Sequence, residues 1–316
     1  MEQNTIALIW DFDRTLIDGY MQAPLFKKFG VDSARFWHEV AALHGQYKKQ
    51  GITVNKETIY LDHVITCAHQ GIFPNLNNDM LFSFGAELTF YNGIPQLFEA
   101  LQAAVSSCEN YRKFGIEVEH YIVSTGFSAT IRGSKIAKYV KGIWGCEFIE
   151  TPIASTLNAS GANAQTPDTE KIVSRVGYAL DNTTKTRAIF EINKGANMFD
   201  SIDVNSKMDA ADRRVPFTNM IYIADGPSDV PVFSLLSQYG GKTFAVYPKG
   251  DDDAFSQADL LLRDGRVQMF AEADYSENTM AYKWLMKHTL EIAQSIYETY
   301  DEQIKQSAKK PPQHLS

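Results

Sequence analysis

The sequence predicts an α/β fold with a mostly parallel sheet and one all-helical insertion near its start. Apolar runs of strand length alternate with stretches of helical period, the pattern of a sheet covered by helices on both faces. Three of those runs, in "IALIWDFDRT", "EVEHYIVSTG" and "NMIYIADGPSD", stop abruptly in small polar or acidic residues. Between the first and second lies a long segment without period-two alternation. At 316 residues the chain can bury a large core and still carry a subdomain.

The unbroken apolar run from Ile6 to Trp10 reads as a strand buried on both faces, with Asp11 and Asp13 on the loop beyond its end. Asp18-Gly19 is a hinge signal. Asp32 or Ser33 then caps a helix whose Phe36, Val40, Leu43 and Tyr47 recur at helical spacing, with Gly51 just past its end. A second helix is predicted over 55–69, closing at Gly71, and a third over 78–88. Residues 18–88 therefore form one helical insertion, and 1–17 with 89–316 form the core.

Asn92-Gly93 makes a turn, and Pro95 fits the first turn of a helix faced by Leu97, Leu101 and Val105. A second strand holds Tyr121 to Val123. Residues 155–168, rich in Ser, Asn, Ala and Gly, read as a surface loop. A strand near 172–179 precedes a helix over 184–194 that Gly195 stops. The run before "DGPSD" is a third apolar strand and "KTFAVYP" a fourth. A final helix over 278–305 puts Leu285, Thr289, Ile292, Ile296 and Tyr300 on one face, before a tail expected to fray.

Composition narrows the function. Acidic residues outnumber basic ones 38 to 30, a formal charge of −8, which argues against a general binder of nucleic acid or anionic membrane. Cys67, Cys108 and Cys146 are too few and too scattered for a disulfide framework and are expected as free thiols. No apolar run is long enough to span a bilayer and no signal-peptide pattern opens the chain, so a cytoplasmic location is expected.

In open α/β sheets ligands sit beyond the carboxyl ends of the strands, where "DFDRT", "STG" and "DGPSD" fall. If Asp11, Asp13, Asp225 and Asp229 converge there, their repulsion requires a bound cation or retained protons. All-oxygen ligation favours a hard ion, and Mg²⁺ is the common one where phosphate is the substrate. Ser124 and the backbone N–H groups of Thr125 and Gly126 can donate to an anionic oxygen. Lys185, opening a helix after a strand and loop, is the preferred balancing cation, with Lys171 and Lys194 as competitors. These parts suit phosphoryl transfer: a carboxylate nucleophile, a second carboxyl to protonate the leaving oxygen, and donors for the transferring group.

"DFDRT", "IVSTG", the following lysine and "IADGPSD" together resemble the four ordered motifs of the haloacid dehalogenase superfamily, and the helical insertion resembles the cap of its phosphoserine-phosphatase-like members. The resemblance implies a Rossmann-like, doubly wound core and a Mg²⁺-dependent phosphatase that hydrolyses a small phosphorylated metabolite. It implies Asp11 as the nucleophile forming an aspartyl-phosphate and Asp13 as general acid, then base. It implies Mg²⁺ on the Asp11 carboxylate, the Asp13 main-chain carbonyl and Asp225, with Asp229 ligating or supporting, phosphate oxygens on Ser124 and Lys185, and Thr15 bracing the first loop. Arg14 and Ala224 depart from the pattern, since many members have Gly at each.

A phosphomutase or phosphotransferase would use the same residues. A receiver-like signalling protein or a silent phosphate-binding protein are the non-enzymatic alternatives. His38, His63 and His69 are expected as solvated or locally bonded imidazoles, Trp37, Tyr60, Phe73 and Phe84 as cap core, and Asp251 to Asp253 as a solvated loop.

Overall fold

Strand β1 (Thr5–Trp10) is buried at all six positions and forms the middle of a seven-stranded sheet. The computed structural model describes residues 2–152 and 171–308, so the predicted loop over 155–168 and the tail after 308 lie outside the described residues. After β1 come α1 (Ala23–Phe29), α2 (Ser33–Lys49), α3 (Ile59–His69), α4 (Asn78–Phe84), α5 (Gln96–Ser106) and α6 (Glu109–Lys113). Next are β2 (Glu117–Phe127), α7 (Ser128–Arg132), β3 (Val140–Ile149) and β4 (Arg175–Tyr178). The chain continues through α8 (Lys185–Lys194), β5 (Met220–Ala224), α9 (Val230–Gln238), β6 (Lys242–Tyr247), α10 (Asp252–Arg263), β7 (Met269–Glu272) and α11 (Met280–Ala308).

The sheet order is β4-β3-β2-β1-β5-β6-β7. All neighbours pair in parallel except β3 and β4, which run antiparallel at one edge. The chain first builds outward from β1 through β2 to one side, then returns through β5 to the other. β1 is thus where the strand order reverses, the position at which such sheets open a crevice beyond their carboxyl ends.

Several predicted elements stand as read. Asp32 accepts from the Arg35 N–H at 2.6 Å and caps α2, and Asn77 caps α4 through the Met80 N–H at 2.8 Å. Gly71 and Gly195, past the ends of α3 and α8, take left-handed conformations with φ of +75° and +82°. Leu97, Leu101 and Val105 are fully buried on α5, as are Leu285 and Thr289 on α11. The predicted helix over 55–69 starts later, at Ile59, and the third one shortens to Phe84, followed by a 3-10 turn over Gly85–Glu87.

Other elements were not anticipated: β3, β7, α1, α6, α7 and α10. In β3, "VKGIWGCEFI" mixes two glycines with polar residues because much of the strand is only half-buried, so the apolar signal is diluted. The strand expected near 172–179 contracts to an exposed edge strand, β4, whose partner β3 supplies what its own sequence lacks.

Six helices lie between β1 and β2, and the first four, α1 to α4, fall in the segment predicted as the helical insertion. Their interior is aromatic: Phe26 and Phe36 sit 4.9 Å apart by ring centroid, and Phe29 and Phe73 5.6 Å. α4 also packs on α7, where the Thr130 hydroxyl donates to the Leu81 carbonyl at 3.0 Å. Backbone meets backbone there. A Cβ on Gly133 would stand 1.8 Å from the Phe82 carbonyl oxygen, so glycine permits the approach.

Candidate active site

The Asp11 N–H donates to the Ile223 carbonyl at 2.9 Å, carrying the β1–β5 ladder one residue past β1. This sets Asp11 beside Asp225, the residue that follows β5. Lys185 arrives from the first residue of α8 and is 1% exposed, with Nζ 2.8 Å from Asp11 Oδ1 and 2.6 Å from Asp229 Oδ1. Tyr222 donates its hydroxyl to the same Asp229 oxygen at 2.5 Å, and Ser228 donates to Asp229 Oδ2 at 2.7 Å. Both Asp229 oxygens are therefore engaged, and its evident task in this geometry is to hold Lys185.

The competing lysines lie elsewhere. Lys194 Nζ bonds the Val204 and Ser206 carbonyls at 2.5 and 2.6 Å, and Lys171 is exposed. Ser124 is buried near the end of β2, its Oγ accepting from the Gly126 N–H at 3.1 Å. That N–H, expected to be free for an anion, is thus already used. A Cβ on Gly126 would stand 2.2 Å from the Met21 methyl, so any side chain there requires Met21 to move. Thr15 is fully buried and braces the first loop through its carbonyl, which accepts the Tyr275 hydroxyl at 2.6 Å.

Asp13 accepts from the Met21 N–H at 2.9 Å. Arg14 adopts φ of +56° and donates its N–H to the Gly19 carbonyl at 2.9 Å. A left-handed residue at this slot is what glycine does at least cost, which accounts physically for the departure noted in the sequence. The arginine is not idle: its guanidinium lies 3.3 Å from Asp225 and 2.9 Å from Asp251. Asp251 also caps α10 by accepting from the Ala254 N–H at 2.9 Å. The acidic run is thus a helix start with an ion pair, not a solvated loop.

Four carboxylates share this edge with two cations, and burial works against every charge. Burial raises Asp11 to about 6, although Lys185 pulls it down. Burial, then the Asp11 and Asp229 charges, raise Asp225 to about 8. Asp13 is pushed well above the ordinary carboxylate range by burial and by the Asp11 charge. Burial opposes the Lys185 charge, yet Asp11 and Asp229 outweigh it and hold the ammonium firmly protonated.

Asp11, Asp225 and Asp229 can each offer an oxygen within 4.8 Å of the others. An excess of negative charge, an all-oxygen donor set and this spacing fit a hard divalent cation. The Asp13 carboxylate is not one of the three.

Over this edge lies a cavity of about 430 Å³. Asp11, Asp13, Thr125, Gly126, Asp225 and Ser228 form its sheet side. Tyr20, Gln22, Trp37, Glu57 and Tyr60 form the other side, from the segment between β1 and β2. Trp37 and Tyr60, expected as cap core, both face the cavity. Tyr60 donates its hydroxyl to the Thr125 carbonyl at 2.6 Å. Asn55 bonds Asp181 at 2.9 Å, and Asn182 gives Glu57 two hydrogen bonds, at 2.8 and 2.6 Å. These contacts join the helical insertion to the β2 end and to the loop that feeds Lys185.

Sequence reasoning did not single out Gln22, Glu57 or Tyr222, read Ser228 only as a possible helix cap, and gave Arg14 no task. Ser228 lies inside a recognised motif and Tyr222 just ahead of it, so both could have been flagged by proximity. Gln22 and Glu57 carry no local signal. The histidines behave as expected: His63 sits 3.3 Å from Glu39 and against the Phe36 ring. The cysteines are unpaired, with Cys67 and Cys146 buried.

A mostly parallel sheet gathers D-x-D-x-T, a strand-end Ser, a buried Lys and an acidic D-G-x-x-D element at one edge, the arrangement that the resemblance to the haloacid dehalogenase superfamily implies. No protein-family model matches the chain. An uncharacterized protein of Borreliella burgdorferi is 41% identical over 289 residues, covering 90% of this chain and 96% of that protein, and the chain belongs to the same family. Among solved structures, a HAD family hydrolase of Salmonella enterica serovar Typhi has a TM-score of 0.49 at 12% identity, covering 84% of this chain and 66% of its own. A phospho-aspartyl intermediate analogue of phosphoserine phosphatase has a TM-score of 0.48 at 12% identity, covering 85% and 93%. No helix among the described residues is long and apolar enough to cross a membrane.

Proposed function

We propose that the protein is a Mg²⁺-dependent phosphomonoesterase that hydrolyses a small phosphorylated metabolite through an aspartyl-phosphate on Asp11. The observation that carries this reading is the position of Asp11: in the cavity wall, its Oδ1 2.8 Å from the buried Lys185 ammonium, with Asp13 and Asp225 in the same wall.

Asp11 attacks phosphorus, an Asp11–phosphorus bond forms, and the bond from phosphorus to the ester oxygen breaks. Asp13, whose environment favours the protonated form, gives its proton to the departing oxygen. Water then attacks phosphorus, Asp13 takes a proton from it, and inorganic phosphate leaves with Asp11 regenerated. Lys185 neutralises charge on the equatorial oxygens, and Asp229 with Tyr222 keeps the lysine in place. Asp11 and Asp225 would hold Mg²⁺, which supplies further charge neutralisation at the phosphoryl group. Tyr60, Trp37 and Tyr20 cover the cavity and limit the entry of water.

Turnover of p-nitrophenyl phosphate tests the proposal. Release of phosphate that requires Mg²⁺ and disappears in Asp11→Asn supports it. No release from this ester or from a panel of phosphorylated metabolites, with Mg²⁺ present, counts against it.

A further inference from the structure

The insertion side of the cavity has a chemistry that the phosphoryl-transfer machinery does not use. Tyr20, Trp37 and Tyr60 place three aromatic rings there, with centroids 6.5 Å apart for the first pair and 5.6 Å for the second. Glu57 adds a carboxylate. Asn182 donates once to each of its oxygens, and a carboxylate has further acceptor sites beyond those two. Gln22 is 3% exposed, lines the same cavity, and has a side-chain oxygen with no hydrogen-bond partner. A buried acceptor left unsatisfied is costly, and a bound group that brings it a donor or positive charge would satisfy it.

Ring faces, a carboxylate and an amide oxygen all attract cations. Among the described residues no lysine or arginine lines the cavity. A leaving group bearing a carboxylate or a second phosphate would therefore meet Glu57 without a counter-charge.

We infer that the substrate is the phosphomonoester of an amino alcohol, its ammonium seated among Tyr20, Trp37, Tyr60, Glu57 and Gln22 while its phosphoryl group faces Asp11. This assignment rests on the phosphatase reading above and names the ester that such an enzyme would select. Hydrolysis yields the free amino alcohol and inorganic phosphate by the bond changes already described.

The experiment compares kcat/KM, with Mg²⁺ present, for phosphocholine and phosphoethanolamine against the neutral isostere 3,3-dimethylbutyl phosphate, phosphoserine and p-nitrophenyl phosphate. At least one ammonium ester is expected to exceed the isostere by about tenfold or more, on the scale of a desolvated cation over aromatic rings. Phosphoserine is expected to fall below that ester. In Trp37→Leu and Glu57→Gln the ratio of ammonium ester to isostere should drop severalfold, a change that general loss of folding would not produce.

Calorimetric titration of Asp11→Asn with phosphocholine and with 3,3-dimethylbutyl phosphate reads the same preference without turnover. Hydrolysis of all esters with no ammonium preference overturns this inference and leaves the phosphatase reading standing. Absence of hydrolysis with a retained binding preference does the reverse. Equal binding of the two ligands by Asp11→Asn overturns the ammonium assignment whatever the turnover.

Discussion

Arg14 reaches Asp225 across a 3.3 Å ion pair from a backbone held at φ of +56°. A permanent cation is thus parked beside a carboxylate that burial disposes to hold a proton, at a conformation that glycine adopts at least cost.

Arg14→Gly removes both features. The left-handed conformation becomes unstrained, while a partly exposed ion pair worth about 0–1 kcal/mol is lost, so stability is expected to stay within about 1 kcal/mol of the parent. Mg²⁺ should bind severalfold more tightly because its competitor at Asp225 is gone. Thermal melts and calorimetric Mg²⁺ titration check the two halves, and weaker Mg²⁺ binding would contradict the role given to Arg14.

Lys185→Met strands Asp11 and Asp229 without their shared cation. Removing one partner from a buried charge cluster costs about 3–5 kcal/mol, a loss measurable by urea unfolding. Phosphatase turnover should fall by about a hundredfold or more, the scale of a lost transition-state donor. Added Mg²⁺ should recover part of the stability, because it supplies positive charge to the same carboxylates.

Asp13→Asn keeps the shape of the loop and removes the proton donor. A loss of about 10²–10⁴ in kcat is expected. The loss should be greater for an alkyl phosphate than for p-nitrophenyl phosphate, whose leaving oxygen needs no proton. Equal losses for both esters would argue that Asp13 is not the acid.

His120 is fully buried, stacked on Phe98 at 4.2 Å, with Nδ1 accepting from Trp10 Nε1 at 3.2 Å. Burial lowers its pKa from 6.5 to about 3. In that window the unfolded chain takes up a proton that the folded protein refuses, so stability falls as pH drops below 6.5 and the loss is complete near 3. The slope is about 1.4 kcal/mol per pH unit at most. In His120→Gln this component of the pH dependence should vanish, as read from denaturant midpoints between pH 7 and 4.5.

The hydrogen bonds from Asn182 to Glu57 span the insertion and the loop ahead of Lys185. Asn182→Ala is expected to cost less than about 1 kcal/mol in stability, since the groups are exposed. It should raise KM and speed amide exchange over residues 55–60, where the insertion would part from the core more often. Unchanged exchange there would mean that other contacts, such as Tyr60 with Thr125, suffice to keep it shut.

By itself the sequence determined the strand-and-helix alternation, the helical segment after the first strand, and which strand ends carry chemistry. Those features are written in local order: Trp10 before Asp11, Ala224 before Asp225, the capping Asp32 before its helix. Lys185 was legible only as one of three candidates, because a lysine at a helix start leaves no mark on its neighbours.

The tertiary structure decided what depends on approach between distant parts. It set Lys185 between Asp11 and Asp229, gave Arg14 and Asp251 to each other, and turned Trp37, Tyr60, Glu57 and Gln22 toward one cavity. A side chain's partner 100 or more residues away is fixed by how helices and strands pack, and packing depends on the whole chain rather than on the few residues around each position.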